Sequence, residues 1–205
     1  MNISANTPDT AQKTSDNGAP ARNYRPRLSF YHANGKGSGS AAQFEVVPAC
    51  GDRDGAVFLA LAQQKSVASG SAEQGNRQHA TFDWPNRITV KLNFSDLCQL
   101  LQVFKGVTAT VADGKGLYHD SRNTTTLIHL ARQNEPYAGF ALEVSRKEKN
   151  EPDSAARVRI VFTPPESLGL GAVLEQVLGW IAFGVPNEAA GSTSPARTEA
   201  EPATL

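Results

Sequence analysis

Cations and aromatic rings at alternate positions of a strand share one face of a sheet, and such a face can hold a phosphate backbone and stack on its bases. Several runs of this chain have that form. Arg25, Arg27 and Tyr31 alternate with Leu28 and Phe30. Arg87 and Lys91 alternate with Ile88, Val90 and Leu92, and Arg157 and Arg159 with Val158, Ile160 and Phe162. His129 and Arg132 belong to a further strand-like run and are read as facing outward too. Trp84 and Tyr118 add stacking or wedge surfaces, although both are equally compatible with a core position. Base–ring stacking contributes roughly 1–3 kcal/mol per base. The bland alternative is an ordinary solvated strand face, which carries the same residue types.

Other chemistry finds little support. The chain has no G-x-S-x-G, H-E-x-x-H or C-x-x-C pattern, and no pair among His32, His79, His119 and His129 has helical ligand spacing. His119 and Asp120 are adjacent, so on a strand they point to opposite faces. No enzyme activity, metal or other cofactor is expected. Gly35-Lys36-Gly37 and Gly114-Lys115-Gly116 fit no phosphate-loop pattern and open no helix, so they read as flexible turns. Lys36 is the one of these lysines counted as a phosphate contact.

Composition narrows the partners. The net charge of the 205 residues is zero, and residues 24–186 carry 17 Lys and Arg against 15 Asp and Glu. A domain this close to neutral binds nucleic acid through a local patch and stacking, with a modest electrostatic share. Cys50 and Cys98 lack metal or redox spacing, and Cys98 reads as a small buried hydrophobe in a helical run. No apolar run reaches the roughly 18 residues that span a bilayer. Without a leader-like segment, the expected location is the cytoplasm, in a bacterium beside the nucleoid. Residues 1–23 and 187–205 hold almost no large apolar side chains and are expected to be disordered, the second segment acidic.

The elements that would position these groups occur in a doubled order. Strands are expected over 24–33, 42–47, 56–62 and 87–92, with a polar loop at 66–80. A helix follows, with Leu97, Leu100, Leu101 and Phe104 at helical spacing, Asn93 or Ser95 as its cap and Gly106 as its stop. Strands are expected again over 117–122, 125–131, 139–146 and 157–162. Thr163-Pro164-Pro165-Glu166 is then a capping box, opening a helix with Leu170, Val173, Leu174, Val177, Leu178 and Ile181 on one broad stripe. Arg87 to Asn93 superposes on Arg157 to Thr163 at a spacing of 70 residues, each followed three positions on by an acid, Asp96 or Glu166. The expected fold is α+β: two antiparallel four-stranded sheets, each followed by a helix, within residues 24–186.

In this frame the chain resembles the Whirly family of single-strand DNA-binding proteins and, more distantly, the mitochondrial guide-RNA-binding proteins of the same fold. Phe82-Asp83-Trp84 before Arg87 resembles the family's Y-D-W, and Tyr118-His119-Asp120 its F-H-D. Phe140 to Val144 resembles a strand of its second sheet, and Gly179-Trp180 its closing G-W. Where the family has K-G-K-A-A-L, this chain has Tyr24-Arg25-Pro26-Arg27-Leu28-Ser29. The resemblance implies single-stranded DNA or RNA as partner, little sequence preference, a role in transcription or genome maintenance, and a ring-like homotetramer with its helices at the centre. The competing expectation is a regulatory assembly module that keeps the fold but binds protein, which the neutral charge favours.

Overall fold

The computed structural model describes residues 27–70 and 77–185. The expected tails 1–23 and 187–205, and Arg25, lie outside them. The elements run β1 (Arg27–His32), β2 (Ser40–Val47), β3 (Ala56–Ser66), β4 (Thr81–Phe82), β5 (Ile88–Leu92), α1 (Phe94–Phe104), β6 (Leu117–Asp120), β7 (Thr124–Gln133), β8 (Gly139–Glu148), β9 (Glu151–Phe162) and α2 (Pro164–Phe183). This is the doubled strand-and-helix order that the sequence implies.

Both sheets are antiparallel. The first has the order β1-β2-β3-β5, with the two-residue β4 beside the far end of β3. The second has the order β6-β7-β8-β9. Alternation assigns the faces. Phe44, Val57, Leu59, Leu61, Ile88, Val90 and Leu92 turn inward from the first sheet, and Ile128, Leu130, Leu142, Val144, Val158, Ile160 and Phe162 from the second. One apolar core joins both inner faces to Leu97, Leu100, Leu170, Leu174 and Val177 of the helices. Phe162 marks the join: its ring lies 5.0 Å from Phe30 and 6.3 Å from Phe44.

Both helices begin with reciprocal capping boxes, Asn93 with Asp96 and Thr163 with Glu166. Each cap acid also meets a histidine from the first strand of the other half. His32 of β1 reaches Glu166 at 2.8 Å, and His119 of β6 reaches Asp96 at 3.1 Å. At its far end, α2 is tied to the β2–β3 turn: the Ala49 and Gly55 amides donate to the Trp180 and Ile181 carbonyls at 3.0 and 3.1 Å. A Cβ on Gly55 would stand 2.5 Å from the Ile181 Cα, so only glycine permits that approach.

Some expectations are corrected. Strand β3 runs to Ser66 and β9 starts at Glu151, both longer than their apolar alternation. Strand β4 lies just past the expected loop at 66–80, in a stretch assigned to no element, and gives the first sheet a fifth strand where four were expected. Cys98 is half-buried rather than enclosed. Arg132 follows Leu130 by two positions on one continuous strand, so it shares the inward, helix-side parity. It lies exposed at the sheet margin beside Lys105 and Phe140, not on the outer face.

Candidate nucleic-acid interface

The outer face of the first sheet is covered by neither helix. Register builds it in rows. Arg27, Glu45, Phe58 and Lys91 are cross-strand neighbours in one row, and Ser29, Gln43, Ala60 and Thr89 in the next. Three strand spacings separate Arg27 from Lys91, about 14 Å. Tyr31 belongs to the third row, with Ala41 and Ala62. Small residues in mid-sheet leave a floor, and the larger side chains around it form walls. The result is a recess of about 410 Å³ lined by Arg27, Gln43, Phe58, Trp84, Arg87 and their neighbours.

Trp84 reaches this face from the β4–β5 turn. The Asp83 carboxylate accepts from the Asn86 amide at 2.9 Å, and the Asp83 backbone amide donates to the Gln63 carbonyl at 2.8 Å. These bonds close the turn and fix it to β3. The Arg87 guanidinium donates to the Trp84 carbonyl at 2.8 Å, which holds the cation beside the indole. Tyr31 packs 5.5 Å from Phe82 and 6.3 Å from Trp84, nearly perpendicular to the indole, and remains 55% exposed. Arg27 donates to Glu45 at 2.9 Å with more than half its side chain in solvent. Such an exposed pair is worth at most about 1 kcal/mol, so it leaves the guanidinium available to another anion.

Lys36 stands exposed at the tip of the β1–β2 hairpin, beyond the Tyr31 end of the sheet. Its turn is held by the buried Gln64 amide, which accepts from the Asn34 and Gly39 amides at 2.9 and 3.0 Å and donates to the Asn34 carbonyl at 2.9 Å. The Asn34 side chain accepts from the Lys36 amide at 3.0 Å. A Cβ on Gly39 would lie 2.2 Å from the His32 carbonyl oxygen, so glycine is required where this turn rejoins the sheet.

The remaining expected contacts sit on the outer face of the second sheet. Tyr118, Leu127, Ser145 and Arg157 form one row, and His129, Glu143 and Arg159 the next. Tyr118 is 65% exposed. The arginines here are engaged: Arg157 donates to Glu143 at 2.6 Å and Arg159 to Gln133 at 2.7 Å. The hydrogen bond to Glu143, with its charge, raises the Arg157 guanidinium above its ordinary value.

The structure therefore brings together Arg27, Tyr31, Trp84, Arg87 and Lys91, with Lys36 at the margin. Tyr118, Arg157 and Arg159 go to a second face, and Arg132 to neither. Sequence reading missed Phe58, Gln43 and Thr89. Phe58 was visible in principle, since it lies between the inward Val57 and Leu59 on β3.

No family model and no curated protein matches the chain in sequence. Solved structures match in shape. WHY1 of Arabidopsis thaliana has 17% identity and a TM-score of 0.56, over 80% of this chain and 88% of that one. Trypanosome MRP1/MRP2 has 19% identity and a TM-score of 0.52, over 77% and 86%. A guide-RNA-binding protein complex bound to its RNA has 19% identity and a TM-score of 0.52, over 77% and 92%. The chain has the Whirly-type α+β fold.

Proposed function

We propose that this chain binds single-stranded nucleic acid, DNA or RNA, across the outer face of its first sheet, with little sequence preference along most of the strand. The observation that carries the reading is the gathering of Arg27, Arg87 and Lys91 with Tyr31, Trp84 and Phe58 on one face that neither helix covers. The cations meet phosphates while the rings stack on bases. The groups assembled there hold a ligand rather than transform it, so the proposal contains no catalytic step. One of the solved structures with this fold is a guide-RNA-binding complex with its RNA, which supports nucleic acid as the ligand class.

The protein acts as a homotetramer in this reading. Leu168, Val173 and Phe183 of α2 are exposed, and an apolar groove lined by Leu28, Val46, Val173, Val177 and Trp180 runs beside them. Exposed apolar side chains beside an apolar groove support a subunit interface. Its setting is transcription or genome maintenance, in the cytoplasm or at a nucleoid.

A fluorescence-anisotropy titration of labelled oligo(dT) tests the binding. At about 50 mM salt it should bind, and three engaged cations predict a log–log salt slope of about −2. An absence of binding at that salt overturns the proposal. Solution mass, with and without the oligonucleotide, checks the tetramer.

A further inference from the structure

Trp84 is a wall shared by two recesses. On one side lies the recess of about 410 Å³ floored by Ala60 and bounded by Phe58, Arg87, Gln43 and Thr89. On the other lies one of about 500 Å³, bounded by Tyr31, Phe82, His79 and Thr81. Their chemistry differs. The second is made of rings and small groups, which accept any base by its flat face. The first adds a guanidinium, a carboxamide and a hydroxyl to its ring walls.

We infer that Trp84 separates two consecutive bases of a bound strand, and that the recess beside Arg87 selects guanine. This rests on the single-strand reading above. A wall between two openings on one face splits neighbouring bases, because the sugar–phosphate chain passes over its rim while each base drops to one side. Selection follows from Arg87. Its bond to the Trp84 carbonyl uses one of five guanidinium donors and fixes the orientation of the fork. Guanine presents O6 and N7 as adjacent acceptors, which match that fork in bidentate fashion. Adenine offers a donor, its N6 amino group, where guanine has O6, and in unpaired thymine or uracil the carbonyls O2 and O4 are separated by the N3–H donor; unpaired cytosine, with O2 and N3 side by side, is the rival acceptor pair. Glu45, the acid at this recess, pairs with Arg27 at 2.9 Å, and among the described residues no ion pair joins it to Arg87. Gln43 and Thr89 supply further polar groups to the base edge. Tolerance elsewhere along the strand is retained, and one position in the bound register carries the preference.

The test is competition against labelled oligo(dT) by dT strands that carry one central dG, dA or 7-deaza-dG. A uniform strand slides to its best register, so a favoured base settles into its recess. The dG strand should compete about tenfold better than the dA strand. The 7-deaza-dG strand, which lacks the N7 acceptor, should lose most of that advantage. Arg87→Ala should bring the dG:dA ratio to about one. Trp84→Ala should weaken every strand severalfold, and Trp84→Phe, which keeps a ring in a half-buried site, should restore part of the loss. Equal competition by dG and dA with wild-type protein, or full binding by Trp84→Ala, overturns the inference while leaving oligo(dT) binding in place. Failure to bind oligo(dT) at all removes both readings.

Discussion

The two sheets share a plan and differ in what they offer to solvent. Each supplies strands, a capped helix, and a histidine that grips the other half's cap acid. On the outer face of the first, Arg27 pairs with Glu45, but no carboxylate among the described residues pairs with Arg87 or Lys91, and rings surround a recess. On the second, Arg157 is bound to Glu143 and Arg159 to Gln133, while at the margin Lys149 meets Asp120 at 2.8 Å. Inward positions of both sheets answer to one packed core and cannot vary independently. Outward positions answer only to solvent and to each other. A duplicated strand–helix unit can therefore keep its interior while one outer face leaves Arg87 and Lys91 without a carboxylate partner among the described residues and the other gives both its arginines partners on their own sheet.

The strongest way to break this comparison is to show that the halves are separate bodies. Phe162 is fully buried and belongs to the second sheet, yet Phe30 and Phe44 of the first pack around it. Phe162→Ala should cost about 3–5 kcal/mol, and unfolding should remain a single transition. Urea denaturation followed by both far-UV circular dichroism and tryptophan fluorescence checks this. Two midpoints, or a loss confined to one probe, would mean that the faces diverged on independent domains.

Affinity sharpens the same contrast. Arg87→Ala with Lys91→Ala removes two cations that line or flank the first face's rings, while Arg157→Ala with Arg159→Ala removes two from a face without such a recess among its described residues. The first pair should weaken oligo(dT) binding at least tenfold and reduce the salt slope by about 1.4. The second should change affinity less than twofold and leave the slope alone. Equal losses from both pairs would place the strand on both sheets.

How much of this could be read from residues alone follows from what each feature depends on. The strand-to-helix junctions were legible because alternation, a cap residue and an acid three positions on are local signals; Thr163 with Glu166 forms the expected box, and Asn93, one of the two caps open to the first helix, forms another with Asp96. The faces of Arg27, Tyr31, Arg87 and Lys91 followed from parity. Parity also places Arg132 with Leu130, once β7 is seen to continue past Ala131. The first residues of β9 were illegible because Glu151 to Ala156 carry no alternating apolar side chains, and β8 holds them through backbone pairing. Strand β4 depends on an irregularity in β3 between Gln64 and Ser66. The recess depends on a turn that brings Trp84 over the sheet, and the His32–Glu166 pair joins residues 134 positions apart. None of these has a local signature.

The smallest expected effects compare the two histidine–cap pairs. Asp96 is nearly enclosed, with a side chain 9% exposed, while Glu166 is 30% exposed. Asp96→Asn should therefore cost about 1–2 kcal/mol and Glu166→Gln about 0.5 kcal/mol at neutral pH. Burial raises the Glu166 carboxyl, but hydrogen bonds from His32 and Thr163 outweigh it and hold the group below its ordinary value of 4.5. A carboxyl with a lower pKa in the folded state than in the unfolded one stabilises the fold when ionised. That contribution is complete above the ordinary carboxylate range and is lost as pH falls through the lowered value. Glu166→Gln removes the charge at every pH, so its deficit in urea stability should close as pH falls through the lowered carboxyl value toward about pH 3. A deficit unchanged at pH 3 would show that the side chain acts by shape and cap geometry alone, making the link to His32 incidental in this half.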